Sequence, residues 1–380
     1  MPIDQTSVLI VGGGIAGLTL AHILAKSGMV VDLIEQKSRL HTSQAGILLN
    51  QETLSVYKEL GLYKEVTQEG NPLTQVEVRS ISDRTITHFK LDSSLPSHQH
   101  PVALSRQVFY NILVAHLSVR QVLLNTSIKS IQQDVDQVDV IFSTGEKRIY
   151  SLVVGADGAQ SPVRSLVFGS RRALFSGYYG WQWMTRSDNS ESAQQVTEYW
   201  GQGNRLGKVP LAKGEAYIYG FFKGPRRLDY PPHAWPALLK EQFSDFPPRI
   251  QALVNQVSLP GQVHLTPMMQ VNMARWYKGR VVLIGDSAHA LTPNLGQGAA
   301  LAISDAAALA KHLLFASSFD RAVALYNNEQ IFRVQRVQAF SKLSGLVAQI
   351  DNPFFARIRN TILRWAPSRM VAYLAQKAFL

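Results

Sequence analysis

No cysteine occurs among the 380 residues, which excludes disulfides, thiolate metal sites and a cysteine nucleophile. Charged residues are scarce as well: Asp, Glu, Lys and Arg make up 17% of the chain, against about 25% in soluble domains. With 46% hydrophobic residues the chain can bury a large core, and neither an extended disordered tail nor a bare nucleic-acid-binding module fits. Uninterrupted apolar runs are also missing, since no segment reaches the roughly eighteen residues that cross a bilayer. The most apolar stretch, residues 7–25, is broken by Gly12, Gly13, Gly14 and Gly17, and residues 1–6 carry Asp4 and no Lys or Arg. That stretch does not read as an export signal. A cytoplasmic protein is the expectation, and the length predicts two domains or one large domain with an insertion.

Acidic residues are nearly absent from the end of the chain. Residues 321–380 hold nine basic side chains against two acidic ones, most of the net charge of +11. Such an end can meet anionic lipid or an acidic protein; a solvated helical face is the plainer reading. Phe354, Ile358, Ile362 and Trp365 recur at helical spacing, with Arg357, Asn360 and Arg364 off that face. After Pro367 the pattern returns in Met370, Tyr373, Leu374 and Ala378. These apolar faces are expected to pack on the body of the molecule as a cap, with weak peripheral membrane contact as the competing reading.

What is present begins with Ser7-Val-Leu-Ile-Val11, a buried parallel-strand pattern, followed directly by Gly12-Gly13-Gly14-Ile15-Ala16-Gly17 and an apolar helix to about Lys26. A second strand, Val30 to Ile34, delivers Glu35. Gly12 permits the tight turn, Gly14 lets backbone N–H groups approach a pyrophosphate at the helix N-terminus, and Gly17 lets helix pack close on strand. Glu35 stands where a carboxylate accepts a ribose 2′-OH, which selects NAD or FAD over NADP at this site. The complete strand, glycine turn, helix, strand and acidic residue is far more specific than the glycines alone.

Two later segments repeat the form of a buried strand ending in Asp. One is Leu152-Val-Val-Gly155-Ala-Asp157-Gly158; the other runs Val281-Val-Leu-Ile-Gly285-Asp286 and continues through His289, Pro293 and Gly296-Gln297-Gly298 into an Ala-rich helix. Open α/β sheets bind ligands at such strand ends, and a helix opened by Gly296 and Gly298 offers free N–H groups to a negatively charged ring or oxygen. An ordinary turn also uses Asp and Gly.

Taken in order, these segments resemble the single-component FAD-dependent aromatic hydroxylases, the flavoprotein monooxygenases of the p-hydroxybenzoate hydroxylase fold, nearest their salicylate-hydroxylase-like members. The resemblance runs from Ser7 to about Leu314 through the Gly12/Gly14/Gly17 turn, an Arg106-Gln-Val-Phe-Tyr-Asn-Ile-Leu113 segment, Gly155-Ala-Asp157-Gly158, and Gly285-Asp286 through Gly298. It implies an α/β architecture: a Rossmann-like FAD-binding domain (1–72, 101–170 and 265–345), an inserted β-sheet substrate domain (73–100 and 171–264), and C-terminal helices (346–380). It implies that Glu35 binds the adenosine ribose, Arg106 lies along the pyrophosphate and ribityl region, Asp286 holds ribityl or pyrophosphate, and Gly296, Gln297 and Gly298 sit against the isoalloxazine. Asp157 would serve FAD and nicotinamide with Arg164 supporting it, and His289 would be structural. Two positions depart from the family's pattern: Ser151 replaces a common Asp, and Ala302-Ile303-Ser304-Asp305 stands for Ala-Ile-Glu-Asp.

Between the two Asp motifs lies a β-rich, aromatic stretch containing Trp181, Trp183, Tyr217, Tyr219 and Phe221, read as an apolar pocket wall over the cofactor. Pro293, Tyr217 and Trp183 are the catalytic candidates, and no metal site is expected. Trp181-Gln-Trp183 invites comparison with flavin-dependent halogenases, but the Ile-Pro that follows in them is absent. The implied activity is NAD(P)H- and O2-dependent hydroxylation or epoxidation of an aromatic or electron-rich small molecule through a flavin C4a-hydroperoxide. FAD would be non-covalent, and NADH or NADPH a transient co-substrate, because no second nucleotide fold is present. A flavin-dependent reductase, a halogenase and a non-enzymatic FAD-binding module are the alternatives.

Overall fold

The structure, a computed structural model, describes residues 7–40, 45–91, 100–169, 172–186 and 192–366. Its centre is a six-stranded sheet in the order Tyr277–Lys278, Val281–Leu283, Leu152–Gly155, Ser7–Val11, Val30–Ile34, Gln121–Leu123. All neighbours except the first pair run parallel. Helices cover such a sheet on both faces, so its strands read as continuous apolar runs, and Val8, Leu9, Ile10, Val153 and Val282 are fully buried. The strand Ser7–Val11 has its sequential successor on one side and the much later Leu152–Gly155 on the other. That reversal opens a crevice at the carboxyl ends of the strands, where Glu35, the Gly12 turn, Asp157 and Asp286 follow four adjacent strands. Among the described residues Gly298–Phe315 is the one helix long and apolar enough to cross a membrane; here it is a core helix packed against Ile15–Lys26 and Phe319–Ala348.

The inserted sheet has seven strands, ordered Val263–Gln270, Leu174–Arg186, Glu215–Lys223, Asn204–Pro210, Gln195–Trp200, Gln75–Ser80, Thr85–Lys90. Residue 264, the expected end of the inserted segment, falls inside the strand Val263–Gln270. Strand period two divides the sheet's aromatics between two faces. Trp181, Trp183, Tyr199, Leu206, Ile218 and Phe222 form one buried layer with Leu239, Phe243 and Leu253, from the segment that holds helices Trp235–Gln242 and Pro248–Asn255. The opposite face turns Gln182, Val196, Glu198, Val209, Tyr217, Tyr219 and Phe221 toward a cavity against the six-stranded sheet.

The helix Pro353–Trp365 forms as its spacing predicts, but it turns the other way. Ala356 and Arg359 are buried, while Phe354, Ile362 and Trp365 are 65%, 62% and 83% exposed. Arg359 decides the orientation: it donates to the carbonyls of Ala348 at 2.9 Å and Val347 at 3.2 Å, and its guanidinium lies 5.1 Å over the Trp200 ring. Burial pulls its pKa down to about 10. The apolar face therefore does not cap the molecule. The second apolar pattern, Met370 to Ala378, lies outside the described residues.

Candidate active site

The nucleotide end is built from backbone constraints. Gly12 has φ 109°, and a Cβ there would stand 2.4 Å from the Ala156 carbonyl oxygen; one at Gly17 would stand 2.0 Å from the Gly12 carbonyl oxygen. Glycine is required at both. The N–H of Gly13 donates to Glu35 at 2.9 Å and that of Lys37 at 3.0 Å, so the carboxylate that ends the second strand also ties down the turn. Gly12, Gly14, Glu35 and Asp157 line a cavity of about 230 Å³. It shares Gly14, Tyr110, Ala156 and Gly158 with a second cavity of about 370 Å³, lined by Arg106, Asp286, Pro293, Gly296, Gly298 and the inserted sheet. Together they make one elongated trough.

Polar atoms along this trough lack partners. Asp157 Oδ2 accepts the Val163 N–H at 2.9 Å, but Oδ1 is buried with none, and so is Arg106 Nε. Burial raises the Asp157 pKa, with the hydrogen bonds from Ser161 and Val163 opposing it. Burial raises that of Asp286 likewise. Native structures seldom leave buried polar atoms unpaired, and an acceptor and a donor facing one trough fit a group rich in hydroxyl and phosphate oxygens. Arg164 braces the two Asp turns against each other by donating to the carbonyls of Ala159 at 2.6 Å and Ser287 at 2.7 Å.

The second Asp turn is fixed from behind. Gly285, at φ 60°, donates its N–H to Asp305 Oδ2 at 2.7 Å, and the same oxygen is 2.5 Å from His289 Nε2. Burial disfavours a charged His289, but Asp305's charge and hydrogen bond outweigh it and raise its pKa. His289 is thus held in the core, away from the trough's lining. Glycine conformation is needed at Gly296, which has φ 66°; Gly298 begins the helix Gly298–Phe315 without a positive φ, and a Cβ on either would meet nothing within 4 Å. Both leave room for a flat ring. Gln297 is buried and outside the lining of either cavity.

Of the catalytic candidates, Pro293 and Tyr217 line the larger cavity. The Tyr217 ring packs on Gly46, where a Cβ would lie 2.6 Å from it. Burial pushes the phenols of Tyr217 and Tyr219 above their ordinary pKa, which keeps both protonated. Trp183 does not line the cavity. Paired with Ile218, it points into the buried layer on the far face, whereas its neighbour Gln182, paired with Tyr219, faces the cavity. Sequence reasoning also misses a polar chain at the cavity's edge. Arg205, 3% exposed, donates to Glu198 at 2.6 Å and to Asn294 Oδ1 at 2.5 Å, and lies 4.6 Å over Phe221. Asn294 in turn donates to Tyr178 Oη at 2.8 Å and the Ser341 carbonyl at 2.6 Å. No local motif signals it, because its members come from distant segments.

Comparison with known proteins adds the family. Residues 5–341 match the FAD binding domain family. The 2-heptyl-3-hydroxy-4(1H)-quinolone synthase of Pseudomonas aeruginosa is 31% identical over 98% of this chain and 97% of its own. Aurachin C monooxygenase/isomerase of Stigmatella aurantiaca is 27% identical over 96% of this chain and 95% of its own. Among solved structures, Klebsiella pneumoniae HpxO complexed with FAD and uric acid superposes with a TM-score of 0.88 at 22% identity, over 98% of this chain and 96% of that one. A family match across the nucleotide and inserted sheets, with a relative aligned nearly end to end, identifies the chain as a member of the FAD binding domain family and an FAD-dependent monooxygenase of the aromatic hydroxylase type.

Proposed function

We propose that this monooxygenase hydroxylates an oxygen-bearing nitrogen heteroaromatic, held between the 293–298 loop and the inserted sheet. The observation that carries it is the cavity wall: valines and aromatic rings on a single sheet face, interrupted by the amide of Gln182 and, among the described residues, by one carboxylate, Glu198. The relatives' names favour the same class, since a 4(1H)-quinolone, 6-hydroxynicotinate and urate are all such rings. FAD, when bound, supplies activation of O2 with NAD(P)H as reductant and transfer of one oxygen atom to the ring.

The protein's own residues hold and shield. Glu35 retains free lone pairs for a ribose hydroxyl beside its two loop donors. Asp157 Oδ1 and Arg106 Nε find partners in the cofactor, Asp286 closes its middle, and the 296–298 backbone with the helix N-terminus behind it faces the ring system. Tyr217, sealed on Gly46, excludes water from the reacting face. The cytoplasm, as the source of NAD(P)H, is the proposed location. The exposed apolar face of Pro353–Trp365, flanked by Arg357 and Arg364, supports weak peripheral contact with an anionic membrane.

The test is NAD(P)H consumption by the purified yellow protein, screened with 2-heptyl-4(1H)-quinolone, 6-hydroxynicotinate, urate and salicylate, with mass analysis of products. A heteroaromatic that accelerates consumption and gains one oxygen is the expected result; acceleration by salicylate alone overturns the ring class.

A further inference from the structure

Resting on that reading, a finer feature of the same wall concerns how the ring is oriented. One row of the inserted sheet crosses the cavity in register: Gln182 pairs with Tyr219, Tyr219 with Gly207, and Gly207 with Glu198. Gly207 contributes no side chain, and a Cβ there would lie 2.1 Å from Tyr219 Cζ. The Tyr219 ring therefore lies across Gly207 toward Glu198. Arg205 is buried and holds only one oxygen of Glu198, Oε1. Oε2 has no hydrogen-bond partner among the described residues, and Glu198 lines the cavity. The other acidic residue of the lining, Asp286, lies at the end of the nucleotide sheet. Among the described residues Glu198 is thus the single carboxylate on the substrate wall. Its place relative to the 293–298 loop is set by two hydrogen bonds in series, Glu198 to Arg205 to Asn294.

We propose that Glu198 Oε2 accepts the ring N–H of the substrate and thereby selects the carbon that is oxygenated. A carboxylate at a ring N–H raises electron density on nitrogen, and conjugation passes it to the carbon beta to that nitrogen. There the carbon's π pair forms the new C–O bond and the nitrogen lone pair compensates. Loss of the carbon-bound proton to solvent restores the ring, and the N–H is kept. The second oxygen of O2 leaves as water, with both reducing electrons drawn from NAD(P)H. An N-alkylated ring offers no donor, and a carboxylate facing it is left without a partner.

The test compares 2-heptyl-4(1H)-quinolone, its N-methyl analogue and 1-naphthol, which carries O–H and no N–H, in the FAD-loaded wild type and Glu198→Gln. Wild-type turnover of the quinolone is established first, so that failure of the ring class is seen separately from failure of Glu198. N-methylation is expected to lower wild-type kcat/KM by about 10- to 100-fold, the loss of one charge-assisted hydrogen bond, and to divert NAD(P)H consumption into peroxide. Glu198→Gln is expected to lose a similar factor on the quinolone and to discriminate much less between the two rings, at unchanged FAD content. Equal discrimination by both proteins overturns the proposal. So does 1-naphthol losing as much as the quinolone on substitution, which would assign the carboxylate to an O–H donor. Titration of the wild-type flavin spectrum with the two quinolones gives the same comparison if the variant fails to fold; equal affinities overturn it.

Discussion

Asp286 carries a stability cost that its proposed place at the cofactor explains. Burial pushes its pKa above the ordinary 3.8, the neighbouring charge of Asp305 adds to this, and His289 and Arg106 oppose it. The unfolded chain ionises near the ordinary value while the folded one resists, so the cost appears as pH rises through 3.8 and is complete above the raised value. Asp286→Asn is therefore expected to raise the melting temperature of the FAD-free protein at pH 7, with no gain below pH 3.8, and to lower the FAD retained per chain. Calorimetry across pH and flavin absorbance after gel filtration check the two halves. A variant that melts earlier at pH 7 contradicts the burial argument, and one with full FAD removes Asp286 from the cofactor site.

At the scale of elements, legibility follows how local each constraint is. Gly12 and Gly17 are readable because each answers a clash within its own turn. The strand ends bearing Glu35, Asp157 and Asp286 are readable because buried parallel strands advertise themselves as apolar runs. Trp183 is misread because a strand shows two faces and only its pairing with Ile218 says which is inside. Glu198 and Arg205 meet through hairpin register, and Asn294 reaches Arg205 from a loop nearly ninety residues further on, so no window of sequence contains the group. The helix Pro353–Trp365 is legible as an element but not in orientation, since Arg359, a residue that usually seeks water, is the one buried. Ile358→Glu with Ile362→Glu tests its outer face: the intact protein is expected to sediment with vesicles containing phosphatidylglycerol at low salt, and the variant to remain in solution with unchanged activity. Equal sedimentation of the two proteins would remove the lipid reading.

For the whole molecule, Asn294 is a joint. It lies on the 293–298 loop, bonds to Arg205 and Tyr178 of the inserted sheet, and reaches Ser341 of the long helix, where Gly345 leaves it room. Asn294→Ala is expected to loosen the sheet from the loop without removing any cofactor-facing carboxylate. FAD content should hold while peroxide released per NAD(P)H rises several-fold, read by a coupled peroxidase assay; unchanged coupling would show that the joint carries no strain between the two halves.

The same long helix carries Arg333, which ties two other helices together. Where the family's pattern has Glu, this chain has Ser304, yet a carboxylate is present in that space: Glu52, from the helix Gln51–Leu60, accepts the Ser304 hydroxyl at 3.0 Å and pairs with Arg333, which also donates to Ser304 at 2.8 Å. That space therefore holds one carboxylate, supplied by the helix Gln51–Leu60 and tied to Arg333. Glu52→Ser leaves a half-buried guanidinium unpaired, and Ser304→Glu sets two carboxylates side by side, so each alone should lower the melting temperature, whereas the double replacement should recover most of it.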